Sequence, residues 1–491
     1  MFLTAEGHLW STRKSMRLKL MILKASGKIA AMNTAFQFPL LDLPNELIAN
    51  VIEHVDSRKT LRKLSRTCKR VQQLTEPVLY RYALIRDGDR TRDLLRSVEH
   101  QPARAKAIHE LDIPCDCRSA TWFEGLARLL ETTINLKRLM LEMPQVNNGE
   151  FEDEEPYEQM TSALLRPFQA AISDADSKPL QKLQHLMLHL NGAESPYWTL
   201  DQNTLCILQL PLLNSLTLSC VNIGDHLAEH IQAASFVSLK HMTLEESNIT
   251  HQGLRVLLSL PRGLETLHLG ENCHNCHHFE DIIDPAANNL FNNDPAATLE
   301  AISQQSHSLK TLVYVTPELF NGWRRKMPKR SAVDAGFAGF HLLENVTLHG
   351  RCPNFERAVL SSRAPPNLKV LTYQIDQMFW PPYMDSSADA PLATIPFIRA
   401  PSSSVPPSLT TLRIIGHIQE LTTAMKGQIE AAARGMMKMG INFELHFETW
   451  SSYFPPYLYG EPLPTTTCVY DGGWNEAATD PHLGLWSQLE D

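Results

Sequence analysis

Cysteine and histidine crowd together once in this chain, in the run Cys273-His274-Asn275-Cys276-His277-His278. A Cys-x-x-Cys pair beside imidazoles offers the sulfur and nitrogen ligands that zinc prefers, but a structural zinc takes four ligands and ordinarily draws a second pair from further along. No second Cys-x-x-Cys exists, and Cys115-x-Cys117 lies several repeating segments away. Cys273 also falls in a turn after a predicted strand, so Cys273 and Cys276 are expected to be small apolar fillers. The rival expectation, a metal-dependent or redox enzyme, predicts stoichiometric metal or a reactive thiol pair. His185 and His189 are four apart, a ligand spacing on a helix but not on the strand expected there. The chain lacks a Gly-x-Ser-x-Gly elbow, a Gly-x-x-x-x-Gly-Lys loop and Gly-x-Gly-x-x-Gly, the usual sequence marks of a serine nucleophile and of phosphate binding. The expectation is therefore a non-enzyme without catalytic residues, cofactor or metal, whose work is done by a surface.

The elements that would present this surface repeat. Leu-x-x-Leu-x-Leu stands at Leu136/Leu139/Leu141, Leu183/Leu186/Leu188, Leu213/Leu216/Leu218, Leu239/Met242/Leu244, Leu264/Leu267/Leu269 and Leu343/Val346/Leu348. Softer copies are Leu79/Tyr82/Leu84, Ile108/Leu111/Ile113, Leu309/Leu312/Tyr314, Leu368/Leu371/Tyr373 and Leu409/Leu412/Ile414. The last two apolar positions are two residues apart and share one face of a short strand. Three such side chains bury ~6 kcal/mol of apolar surface, and ordering some two dozen residues costs several times more, so a unit folds only by stacking on neighbours.

From Leu213 to Leu239 and from Leu239 to Leu264 the spacing is that of leucine-rich repeats, roughly 20 to 29 residues. Asn222-Ile223 and Asn248-Ile249 follow their strands at one offset, and Leu254, Leu257 and Leu258 then mark a helix face before Pro261. Strand, turn and helix resemble the helical type of leucine-rich repeat. In that family such an asparagine bonds the backbone of the turn leaving the strand.

Composition narrows the alternatives. With 20% charged and 43% hydrophobic residues the chain reads as globular. A net charge of −9 argues against a general nucleic-acid binder. No uncharged apolar run approaches the roughly 18 residues of a membrane span. Nine scattered cysteines suit a reducing compartment, so a cytoplasmic or nuclear protein is expected. Asn248-Ile249-Thr250 and Asn345-Val346-Thr347 then remain unglycosylated chance matches. Residues 1–39 are expected to be a basic disordered tail, with a transit peptide, or a start at Met32, as alternatives.

Between Leu40 and Leu84 the periodicity becomes helical. Pro44 opens a first helix lined by Leu47, Ile48, Val51, Ile52 and Val55; Asp56 or Ser57 caps a second with Leu61, Leu64 and Cys68; a third runs from about Lys69 to Glu76 and is expected to stop at Pro77. Leu-Pro-x-Glu-Leu, the Ile/Val helix, Leu-x-x-Leu-Ser-x-x-Cys-Lys-Arg and the closing Leu-Tyr-Arg-Tyr-Ala-Leu resemble an F-box, in the style of fungal F-box proteins with C-terminal leucine-rich repeats. The resemblance implies docking on a Skp-type adaptor of a cullin–RING ubiquitin ligase while the repeats hold the protein to be ubiquitinated. Carried over by position, Leu43, Pro44, Leu47, Ile48, Val51 and Leu61 face the adaptor. Val71 stands where many members have tryptophan, which removes a packing anchor.

The expected architecture is thus α/β: a short all-helical F-box over residues 40–78, then a leucine-rich-repeat solenoid over 79–449, a curved parallel sheet with helices outside. Insertions are expected near 144–180, with the acidic Glu150–Glu155 followed by Tyr157–Ile172, where Met160, Leu164, Leu165 and Phe168 recur at helical spacing, and near 279–297 and 379–407; residues 450–491 form a tail. Trp323–Arg330 is a basic patch. A helix from about Ile418 to Met439 and the alternating Asn442–Phe447 close the array. Outward strand residues define the target-binding face: Arg138, Met140, His185, Met187, Ser215, Thr217, His241, Thr243, Thr266 and His268. The partners are the adaptor and an unknown protein, with neither nucleic acid nor membrane. The alternative is a repeat scaffold whose helices are only a cap.

Overall fold

A computed structural model describes residues 40–85, 88–114, 120–142, 154–173, 178–189, 198–230, 237–271, 290–316, 336–350, 352–360, 363–375, 405–416, 423–449 and 465–475. The Cys273–His278 run, the Trp323–Arg330 patch, Cys115, Cys117, residues 1–39 and most of 379–407 lie outside them. The chain forms two compact units, one holding residues 1–82 and 101–108 and the other 83–100 and 109–491.

The first unit contains helices α1 (Asn45–Glu53), α2 (Arg58–Leu64) and α3 (Lys69–Tyr80). Ile48, Ile52, Leu61 and Val71 form its core, with Leu40, Leu43, Val55, Leu64, Leu74, Val78 and Leu79 packed around them. Val71 is 2% exposed, so the smaller side chain is fully used in packing. Ser57 caps α2 by accepting the Thr60 N–H at 3.3 Å. Pro77 does not stop the third helix, which continues to Tyr80. The missing proline N–H is outweighed by packing of Val78 and Leu79 and by buried Glu76, which accepts from Arg104 at 2.6 Å, Gln72 at 2.8 Å and Gln101 at 3.0 Å. Burial opposes ionisation of Glu76, yet those donors hold its carboxyl below the usual range.

The second unit is mixed α/β, built on one large and mostly parallel sheet. Its strands are β1 (Tyr82–Leu84), β2 (Glu110–Pro114), β3 (Arg138–Glu142), β4 (His185–His189), β5 (Trp198–Thr199), β6 (Ser215–Ser219), β7 (Val221–Ile223), β8 (His241–Ile249), β9 (Thr266–Glu271), β10 (Thr311–Val315), β11 (Asn345–His349), β12 (Val370–Ile375), β13 (Thr411–Gly416), β14 (Asn442–Thr449) and β15 (Thr465–Asp471). The main path follows chain order, while β5 and β7 make a short side ladder beside β8. Equivalent residues pair without slippage: Leu139, Leu186, Leu216, Met242, Leu267, Leu312, Val346, Leu371 and Leu412 are successive partners. All nine are at most 2% exposed. A one-residue slip would turn a buried leucine outward, so the motif itself holds the register.

Where the structure departs from expectation, tertiary packing is the cause. Leu79/Tyr82/Leu84 is out of phase: Leu79 lies in α3, and in β1 it is Ala83 that is buried while Tyr82 and Leu84 are half-buried. Within 144–180 the helix expected from Tyr157 to Ile172 is present over Glu154–Ile172, and it packs on Ala120–Thr132 and buries Leu164, Leu165 and Phe168. Arg166 joins the two helices through Glu131 at 2.8 Å and Glu124 at 2.9 Å. Within 279–297, Leu290–Asn293 and the start of Pro295–Ser303 are helical, with Leu290, Phe291 and Pro295 buried.

The closing helix is described over Thr423–Lys438 and buries Ile429, Ala433 and Met436, while residues 417–422 lie outside the described residues. Gly440, at φ +77°, ends it: the Ile441 N–H reaches Met436 O and the Gly440 N–H reaches Met437 O, both at 3.0 Å. Part of the expected tail is also structural. β15 pairs antiparallel with β14 and covers what would otherwise be an open strand edge.

Candidate protein-binding faces

On α1, Leu47 and Val51 are four residues apart and each is 50% exposed, whereas Ile48 and Ile52 point to the opposite side and are buried. Leu41 adds a third exposed apolar side chain at 51%, Pro44 is exposed and Leu43 half-buried. This corrects two expected adaptor-facing residues. Ile48 (0% exposed) and Leu61 (4%) lie inside the helical core, where they support the surface rather than form it. Arg70 was not singled out from the sequence. Its guanidinium donates to Asn45 Oδ1 at 2.8 Å, to Leu43 O at 2.7 Å and to Leu41 O, pinning the segment that presents Leu41 and Pro44 to α3.

In the sheet, all ten expected face residues fall in two in-register rows. Arg138, His185, Ser215, His241 and Thr266 are successive partners, as are Met140, Met187, Thr217, Thr243 and His268. Nine of the ten are half-buried and His185 is exposed, as strand residues opposite a leucine core must be. Arg138 is already engaged, 2.7 Å from buried Asp112 and 3.8 Å from Glu110. His241 Nδ1 lies 3.2 Å from Thr266 Oγ1. Burial, with Arg138 beside it, lowers the pKa of His185. Burial also lowers that of His241, against the pull of Glu265. Both imidazoles are therefore neutral near pH 7. Apart from Arg138, the two rows present thioethers, hydroxyls and imidazoles.

One row sequence reasoning missed runs along the carboxyl ends of the strands. The residue after each of Ser219, Glu245 and His349, which occupy one register level, has a left-handed backbone: Cys220 at φ +53°, Glu246 at +48° and Gly350 at +85°. Glycine takes this conformation without strain, whereas glutamate does not. Glu246 is also 2% exposed with neither carboxylate oxygen hydrogen-bonded, and burial together with Glu245 raises its pKa well above the ordinary value. Glu271, by contrast, is well held: both oxygens accept the Leu290 N–H at 3.1 Å, and the Tyr314 hydroxyl donates to it. Asn248 Nδ2 donates to Asn222 Oδ1 of the neighbouring strand segment at 2.8 Å.

Among the described residues no three of histidine, cysteine, aspartate and glutamate are grouped to hold a metal. Burial pushes the Cys206 thiol up to about 12, the opposite of an activated nucleophile. A groove of about 440 Å³ beside the helix His251–Leu258 is lined by Gln304, Gln305 and His307, but the Gln305 amide is already engaged with Leu258 O, Pro261 O and the Leu264 N–H. No described helix is long and apolar enough to cross a membrane. No family model and no curated protein matches the chain.

Proposed function

We propose that the chain is an F-box protein with leucine-rich repeats, the substrate-recognition subunit of a Skp–cullin–F-box ubiquitin ligase. The observation that carries this is the apolar set Leu41, Leu47 and Val51, left exposed on a helical unit that precedes a long in-register repeat array. Side chains of that kind are normally buried, and a small three-helix unit that keeps them outside is suited to docking. The two strand-face rows hold the target, and the repeats therefore build the solenoid. The chain does no chemistry itself. Tethering target and charged enzyme in one complex raises the effective concentration of the reacting lysine.

Co-purification of the intact chain with a Skp-type adaptor tests this. Leu47→Asp is expected to weaken binding by about a hundredfold or more, because a desolvated carboxylate without a partner is costly, while leaving the melting of the array unchanged. No adaptor binding by the intact, folded chain overturns the proposal and favours a scaffold whose helical unit is only a cap.

A further inference from the structure

We propose that the outward side of α2 and the turn after it form a docking face for a carboxylate-rich segment of a protein partner, whether or not that partner is a Skp-type adaptor. Between Arg58 and Arg70 seven of thirteen residues are basic and none is acidic. Lys59, Arg62, Lys63, Arg66 and Lys69 are exposed, and none of their side chains makes an ion pair or hydrogen bond among the described residues. Elsewhere cations are commonly matched, as Arg104 is by Glu76, Arg138 by Asp112 and Arg413 by Glu444.

The unpaired charges work against the helix that carries them. Lys59, Arg62 or Lys63, and Arg66 recur at three- and four-residue spacing, so like charges crowd one side. The first turn of α2 holds Arg58 and Lys59 and no acid, the wrong sign for its dipole, whereas Arg62 and Lys63 in the last turn suit it, so the crowding of like charges is the penalty that remains. Leu61 and Leu64 meanwhile face the core and gain nothing from the cations. An approaching anionic group relieves that crowding.

The chemistry of the surroundings selects a protein as the anion's carrier. Residues 58–70 contain no aromatic side chain to stack on a base. The apolar residues of α2 are packed inward, so the basic face itself carries no apolar side chain to enter a lipid surface. An extended polyanion is also repelled by a chain of net charge −9, whereas a compact carboxylate cluster meets only the charges within a Debye length of ~8–10 Å. Exposed Leu41, Leu47 and Val51 on the same unit give a protein surface something apolar to cover.

The test uses the full chain and three labelled probes: an oligo-glutamate peptide, a single-stranded oligonucleotide and a phosphatidylserine vesicle. Removing four charges in Lys59→Gln/Arg62→Gln/Lys63→Gln/Arg66→Gln is expected to weaken peptide binding by about tenfold or more, with affinity falling as salt rises. A control that removes four charges elsewhere, Lys240→Gln/Arg255→Gln/Lys310→Gln/Lys369→Gln, is expected to retain it. Equal loss in both variants overturns the proposal, as does tighter binding of the oligonucleotide or the vesicle than of the peptide. If the quadruple variant does not fold, Lys63→Glu alone, with unchanged melting, is expected to lower affinity severalfold, and no change overturns the proposal. Failure of adaptor binding leaves these outcomes untouched, since no adaptor is used.

Discussion

The helical unit and the motif positions of the strand array place apolar and charged side chains differently. In the array, the second motif leucine or its equivalent faces inward in matching register from Leu139 to Leu412, although Leu212, Leu342 and Met437 stand exposed outside the motif, while Lys240, Glu265 and Lys310 answer one another across neighbouring strands at 3.1 and 2.7 Å. In the helical unit, Leu41, Leu47 and Val51 remain outside and five cations have no counterion among the described residues. A stacked unit satisfies its apolar and charged groups with the next copy of itself. The helical unit is not built of such copies, and Leu41, Leu47 and Val51 stay exposed on it.

The largest expected effect breaks the array. Leu267→Ala, at a fully buried position between two strands, is expected to cost about 2–5 kcal/mol, whereas Leu47→Ala on exposed α1 changes stability by about 0.5 kcal/mol or less. Comparable losses in denaturant titrations would dissolve the contrast.

Glu246 tests the reverse, a place where the array stores strain. Its folded pKa lies above the unfolded value, so the folded state binds the extra proton. The stabilising contribution is complete below about pH 4.5 and is lost as pH rises toward the folded pKa. Glu246→Gln is therefore expected to stabilise the protein at pH 7 by roughly 1–3 kcal/mol and to have little effect at pH 4. Thermal melts at the two pH values check this, and destabilisation at pH 7 would show that the carboxylate is matched.

Arg70→Ala is expected to cost about 1–2 kcal/mol in the helical unit alone, through the loss of three charged hydrogen bonds to residues 41–45. Hydrogen exchange should quicken at Leu43 and Asn45 and not in the sheet. The smallest effect is expected at Glu265. Hydrogen bonds from Lys310 and Lys240 hold its pKa down at about 2, so its contribution is present above about pH 4.5 and fades as pH falls through 2. Being partly solvated, the cluster is worth ~1 kcal/mol or less, read as the difference between Glu265→Gln and wild type at pH 7 and its disappearance at pH 2.

Much of the array was legible because its signal is periodic. Each leucine pattern from Leu136 to Leu412 names a strand, and alternation within the strand names the outward residues, so both candidate rows could be written down in advance. Legibility failed where a neighbour decides. Ile48 and Leu47 are adjacent leucine-like residues on one helix, and only the position of α3 tells which is core. The helical spacing of Met160, Leu164, Leu165 and Phe168 was legible in the long segment after β3, but not that this helix packs on Ala120–Thr132.

By itself the sequence determined the strand period, the inward leucines and the helical character of residues 45–80, since these follow from local side-chain spacing. Tertiary structure alone decided that β15 closes the sheet, that Arg70 pins the Leu41–Asn45 segment, and that Glu246 is buried without a partner. Each of those depends on groups brought together from distant parts of the chain, and no local pattern encodes which distant group will arrive.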